Sequence, residues 1–153
     1  MSADQDILRV TDRLRCLCSR REYCSADIHK KAVDALGGDS EAAKKILQLL
    51  IAEKYVDDLR YATAYARDKA MISGWGVTKI RYMLSAKKIN RSLVDQALTE
   101  IDSDKAESRL KKLIENKART LKADPQIRLK LLRFALGRGY QYDDIVRVLQ
   151  DIL

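Results

Sequence analysis

The sequence predicts an all-α fold, an elongated array of three tandem three-helix repeats. Three observations carry that expectation. Apolar residues recur with the helical 3.6-residue period, and alternating β-branched runs are missing. One proline and six glycines leave few helix-breaking positions in 153 residues. A comparison of the chain with itself at a shift of 51 residues superposes its apolar positions. Ile89, Val94, Ala97, Leu98 and Ile101 fall on Tyr140, Ile145, Val148, Leu149 and Ile152, and, one step back, on Gly38, Ala43, Ile46, Leu47 and Leu50. Ile80 and Leu84 map ahead to Leu131 and Ala135 and approximately back to Ile28 and Ala32, with one extra residue near Gly37 and Gly38. The repeats so defined span residues 1–53, 54–102 and 103–153. Such a unit cannot bury its apolar stripe alone, so stability relies on the interfaces between stacked units. A compact nine-helix bundle is the structural alternative.

Each element has a local justification. In the first unit, Leu14, Leu17 and Cys18 stripe one helix. Ser25 is placed to N-cap a second, and Asp39 a third that carries Ile46, Leu47 and Leu50. In the second unit, Asp57 precedes a helix with Leu59, Ala62 and Ala66 on one side and Tyr61 and Tyr65 beside them. Val77, Ile80 and Leu84 stripe the next helix. Asn90 caps the last, and Ile89 before it can staple onto Val94. In the third unit, Asp124-Pro125 reads as a helix start, because proline fixes the first-turn dihedral and lacks only an orphan donor. Tyr140 and Ile145 repeat the staple around Gln141, a weak cap.

The stretch SGWGVTKIRYML places two glycines around the only tryptophan. A phosphate-binding P-loop needs GxxxxGK followed by Ser or Thr after a strand, and a dinucleotide fingerprint needs a third glycine in a βαβ unit. Neither is present. Gly74 fits a left-handed C-cap position, Gly76 frees the backbone to turn into the next helix, and Trp75 packs at the corner.

Lys and Arg outnumber Asp and Glu by 30 to 22, a net charge of +8, which suggests a polyanionic or acidic partner. From Val77 to Val94 the chain holds Lys79, Arg81, Lys87, Lys88 and Arg91 and no acidic residue. Arg81 and Lys88, seven apart, are expected on one helix face with Thr78 and Ser85. The later stretch SDKAESRLKKLIENKARTLK is also basic, with seven cations against three acids, but mixes both signs.

Other chemistry is not apparent. Cys16, Cys18 and Cys24 are an odd number without paired metal spacing, and read as small buried or half-buried thiols. His29, in the run HKK, reads as a surface residue. No Ser/His/Asp set, carboxylate pair or metal cluster suggests catalysis, so no enzyme activity and no cofactor are expected. No stretch is long and apolar enough to cross a membrane, and MSADQDILRV has no signal-peptide core, so the chain is expected to be cytoplasmic.

These residues carry a resemblance. DDLRYATAYARDKAMISGWGVTKIRYMLSAKKI resembles the central signature of the RecX family, regulators of the bacterial recombinase RecA. The matching positions are Asp58, Arg60-Tyr61-Ala62, Tyr65, Gly74-Trp75-Gly76, Lys79-Ile80, Leu84 and Lys87-Lys88-Ile89. The resemblance extends from SRREYCSADI to RFALGRGYQYDDIVRVL. Tyr61 stands for the usual Phe, Val77 for Pro and Lys88 for Gly, and Gly38 replaces an aromatic or aliphatic residue.

The resemblance implies a non-enzymatic modulator, a monomer, built from three-helix repeats. Such proteins bind in the helical groove of the RecA filament on single-stranded DNA, restrain its growth, and inhibit its ATPase and strand exchange. It adds Arg60 to Lys79, Arg81, Lys87, Lys88 and Arg91 as partner-binding candidates. The alternative is a helical nucleic-acid-binding module that acts independently of RecA. Its candidate reading helix, 77–88, lacks the Asn or Gln that pairs with adenine, although Arg81 can pair with guanine.

Overall fold

The computed structural model describes residues 3–153, which form nine α-helices and, among the described residues, no strand. They are α1 (Ala3–Arg20), α2 (Ser25–Ala35), α3 (Ser40–Ala52), α4 (Asp58–Met71), α5 (Val77–Ala86), α6 (Arg91–Leu98), α7 (Ser103–Arg119), α8 (Ile127–Gly137) and α9 (Tyr142–Ile152). The well-packed helix pairs fall within three groups, α1–α3, α4–α6 and α7–α9.

Each group has its own core, so the apolar stripes are buried mainly within a unit and not, as expected, between stacked units. Leu14, Ile28, Ile46 and Leu50 centre the first, Ala62, Ile80, Leu84 and Val94 the second, and Leu110, Ile114, Leu131 and Ile145 the third. The accessible surface of this 17.5-kDa chain is 9839 Å², about a quarter above the ~7,900 Å² of a compact monomer of that mass. Three small cores in a row account for the excess, and this excludes the compact bundle.

Most expected caps form. The side chains of Asp39, Asp57 and Asn90 accept hydrogen bonds from the amides of Ala42, Arg60 and Ser92 at 3.1, 3.0 and 2.9 Å. Asp102 caps α7 through the amides of Asp104 and Lys105. Ile89 and Val94 share the second core, and Tyr140 and Ile145 the third, as the staples require. Gln141 precedes α9 without a side-chain cap.

Two helix starts differ from expectation. The N-cap of α2 is Cys24, not Ser25. Cys24 is fully buried in the second core, and the Ser25 amide instead donates to the Asp58 carboxylate at 2.7 Å. A neighbouring unit thus supplies the acceptor for one of the orphan amides in the first turn of α2. Helix α8 begins at Ile127, two residues after Pro125. Asp124 accepts from the Gln126 amide at 2.8 Å, closing a turn ahead of the helix rather than capping it. Among the thiols, Cys18 and Cys24 are buried, and burial raises both above the ordinary thiol pKa. Cys16, on the opposite side of α1 from Cys18, is exposed, and His29 is half-buried on α2.

The two joints between units are built differently. At the first, Cys24 and Ala26 pack into the second core while Val56 packs into the first. Lys87 reaches back sixty positions to donate to Asp27 at 2.9 Å, and Arg60 pairs with Glu22. At the second joint the backbones themselves touch. The Gly76 amide donates to the Arg138 carbonyl at 2.8 Å and the Thr78 amide to the Gly139 carbonyl at 3.0 Å. The Tyr140 hydroxyl adds a bond to the Gly74 carbonyl at 3.1 Å.

Gly74 has φ +70°, the left-handed value expected of it. Gly76 has an ordinary φ of −84°, so its freedom to turn is not the reason for glycine there. A Cβ on Gly76 would lie 2.7 Å from the Tyr140 amide nitrogen, so the close approach of the third unit requires glycine.

Candidate partner-binding surface

Helix α5 and the turn after it position four of the six candidate cations, and the fold gives several of them internal partners. Trp75 is half-buried against the second core, with Tyr65 edge-on to its ring at 6.4 Å. Lys69 and Lys79 place their ammonium groups 4.7 and 4.4 Å from the indole centroid. Each such contact is worth about 0.5–1 kcal/mol at an accessible site. Lys79 is therefore part of the turn's packing as well as a surface charge.

Arg81 pairs with Asp95 across α5 and α6, and this contact holds the Asp95 carboxyl below its usual value. Arg60, whose guanidinium also donates to the Tyr55 carbonyl at 3.2 Å, is raised chiefly by its hydrogen bond to Glu22. Lys87 is half-buried and engaged with Asp27. Lys88 and Arg91 are exposed and free of ion pairs among the described residues.

One expectation is corrected here. Helix α5 ends at Ala86, and Lys88 follows it with φ +61°, so Arg81 and Lys88 do not share a helix face. Lys88 occupies the left-handed turn position where the resembled signature has glycine.

The acid-free run is real in sequence and partly cancelled in space. Asp95 lies one residue beyond its end, and Asp27 and Glu22 arrive from the first unit. The structure concentrates unpaired positive charge elsewhere. Residues 103–138 hold eleven Lys and Arg against four Asp and Glu, a difference of +7. Lys130 with Asp124 is the ion pair found there among the described residues. Lys111, Lys112, Arg119, Lys122, Arg128 and Arg133 are all exposed and, among the described residues, without ion pairs. A tally of charge per unit would have found this surface. No acid-free run marks it, because α7 mixes signs.

A cleft of about 400 Å³ opens between the second and third units, lined in part by Trp75, Gly76, Arg109, Tyr140 and Asp144. The Arg109 Nε is buried there without a hydrogen-bond partner. Burial raises the Tyr140 hydroxyl, against the opposing effect of Arg109 and Arg138. The charged groups that line it, Asp104, Glu107, Arg109, Asp144 and Arg147, are of both signs.

The first joint yields an expected pH response. Burial alone would raise Asp27, but its hydrogen bond and charge attraction to Lys87, aided by Cys24 and Lys31, bring it below the usual carboxylate value. A depressed carboxyl contributes stability that is present above its unfolded pKa and lost as pH falls through the folded one. Both side chains are more than a third exposed, so the contribution is on the order of 1 kcal/mol or less. Asp27→Asn should therefore melt slightly below the parent at neutral pH. That gap should close as the solution is acidified and shrink in high salt, as thermal melts across pH would read.

Comparison with known proteins places this arrangement. Residues 57–98 match the second three-helix domain of RecX, and residues 105–149 match the third. The regulatory protein RecX of Vibrio parahaemolyticus is 35% identical over 132 residues, which cover 84% of this chain and 82% of that protein. The chain belongs to the RecX family. RecX of Clostridium botulinum strain Alaska E43 is 31% identical over 165 residues, covering 99% of this chain and 77% of that protein. RecX of Clostridium tetani is 28% identical over 121 residues, and the chain spans only 55% of that longer relative. Two solved RecX structures share the fold. One, a regulatory protein RecX, superposes with a TM-score of 0.87 at 23% identity over 97% of this chain and 73% of its own. The other, RecX from Lactobacillus salivarius, gives 0.83 at 21% identity over 97% of both chains.

Proposed function

We propose that this chain is a RecX-type regulator that binds the RecA filament on single-stranded DNA, inhibits its ATPase and strand exchange, and so modulates recombination and repair. Membership of the RecX family across both matched repeats is the observation that carries the reading. The charge distribution supports it. An array with +8 overall and six exposed, unpaired cations on α7, α8 and the turn between them suits a groove lined by phosphates and acidic side chains. The protein acts as a cytoplasmic monomer, without catalysis or cofactor, and single-stranded DNA lies within the complex.

The test is the ATPase of purified RecA on single-stranded DNA. Inhibition at a small fraction of the RecA concentration is the expected result. Inhibition that sets in only when the chain saturates the DNA would remove the filament reading and favour a nucleic-acid module competing for the lattice.

A further inference from the structure

Helix α8 carries apolar residues on two sides. Its inner face, centred on Leu131 and Ala135, is fully buried in the third core. A second stripe runs along its other side, with Leu129, Leu132, Arg133 and Leu136 at the i, i+3, i+4 and i+7 positions that share a helix face. Leu132 packs half-buried against the third core, leaving only its outer part accessible, but Leu129 and Leu136 are 40% and 43% exposed. The 51-residue shift identifies the same four positions on α5 as Thr78, Arg81, Tyr82 and Ser85, a polar face with one aromatic ring. The packing of a three-helix unit therefore does not require leucines there.

We propose that the outer face of α8 is a docking surface that seats Leu129, Leu132 and Leu136 in an apolar groove with an acidic rim on a partner protein. The spacing is that of a helix laid in a groove and read through successive anchors. The rim charge follows from the cations beside the stripe, Arg128 and Arg133, which are exposed and unpaired. A second copy of this chain is a poor occupant, because it would bring a net charge of +8 toward a basic face. A nucleic acid would engage the arginines. It would leave the leucines with little to contact, since strand binding rests on phosphate charge and on stacking against aromatic or guanidinium planes.

This inference rests on the filament reading in taking the RecA filament as the partner. The experiment compares the parent chain, Leu129→Ala with Leu136→Ala, and Thr78→Ala with Ser85→Ala as the matched control on α5. Cosedimentation with RecA filaments and inhibition of the RecA ATPase are measured for each, beside affinity for naked single-stranded DNA. Alanine keeps every charge and favours the helix, so the thermal melt should move little. The expected result is a loss of about tenfold or more in filament affinity and inhibition for the α8 variant, as for central interface anchors. DNA affinity should be unchanged, and the α5 control should match the parent.

An α8 variant that inhibits as well as the parent overturns the proposal. So does a parallel loss of DNA affinity, which would make nucleic acid the occupant. Self-association of the parent that disappears in the variant would make it a second copy and overturn it equally. A parent that neither binds nor inhibits filaments sinks the functional reading, and this inference with it, whereas the other failures leave parental inhibition intact.

Discussion

Gly139→Val is expected to separate the third unit from the second while leaving each unit folded. Gly139 has φ +94°, where a β-branched residue is strained by about 1–3 kcal/mol. Its Cβ would also lie 2.7 Å from the Lys79 amide nitrogen and 3.0 Å from the Lys79 Cα, backbone atoms that a side-chain rotation cannot clear. The joint must open, and the bonds from Gly76 to Arg138 and from Thr78 to Gly139 are lost with it. At roughly 0.5–1.5 kcal/mol each, they bring the total to about 2–6 kcal/mol.

The cores of the second and third units do not depend on Gly139. The loss should therefore appear as uncoupling, with one calorimetric transition of the parent resolving into two. Gly74→Ala is the control, since Gly74 also has a left-handed φ but a Cβ there meets nothing within 4 Å. It should cost only backbone strain and keep the transitions joined. A Gly139→Val protein that melts as the parent does would show that the joint carries no coupling.

That joint also marks how far the sequence could be read. Helices, caps and the internal repeat follow from periodicity and from single residues, because they are set within a few positions along the chain. Asp39, Asp57 and Asn90 cap as their types and places require. The role of Gly76 is different. Its neighbours are Gly139 and Tyr140, more than sixty positions away, and no local pattern announces a backbone approach of that kind. Cys24 displaces Ser25 as the cap of α2 for the same reason, because the acceptor for the Ser25 amide belongs to α4.

The surface was hardest to read. A cation's sequence neighbours reveal little about its charge partners when Lys87 finds Asp27 and Arg60 finds Glu22 across a joint. The leucines of α8 were visible in sequence, yet a helix apolar on two sides reads as deeply buried until its neighbours are known.

Lys111→Glu with Lys112→Glu is expected to weaken binding to single-stranded DNA more than Arg81→Glu with Lys88→Glu, although both variants reverse two charges. Lys111 and Lys112 are exposed on α7 without ion pairs, so both ammonium groups are available to phosphate. Losing two phosphate contacts lowers the salt slope of single-strand binding by about 1.4. Arg81 is already bound to Asp95, and a cation with a fixed internal counter-charge displaces less salt when it meets a phosphate. The Arg81 and Lys88 pair should thus lower the slope by less, close to the share of Lys88 alone. Stability should separate the variants in the opposite sense. Reversal at Lys111 and Lys112 adds repulsion with Glu107 and Glu115 on α7 worth a few tenths of a kcal/mol. Reversal at Arg81 removes an ion pair and sets a like charge against Asp95, the larger of the two losses. Thermal melts and DNA titrations across salt on the two variants measure both effects. An unchanged slope for the α7 variant beside a full two-contact loss for the α5 variant would return the binding face to the central unit, and would mean that Arg81 releases Asp95 when DNA arrives.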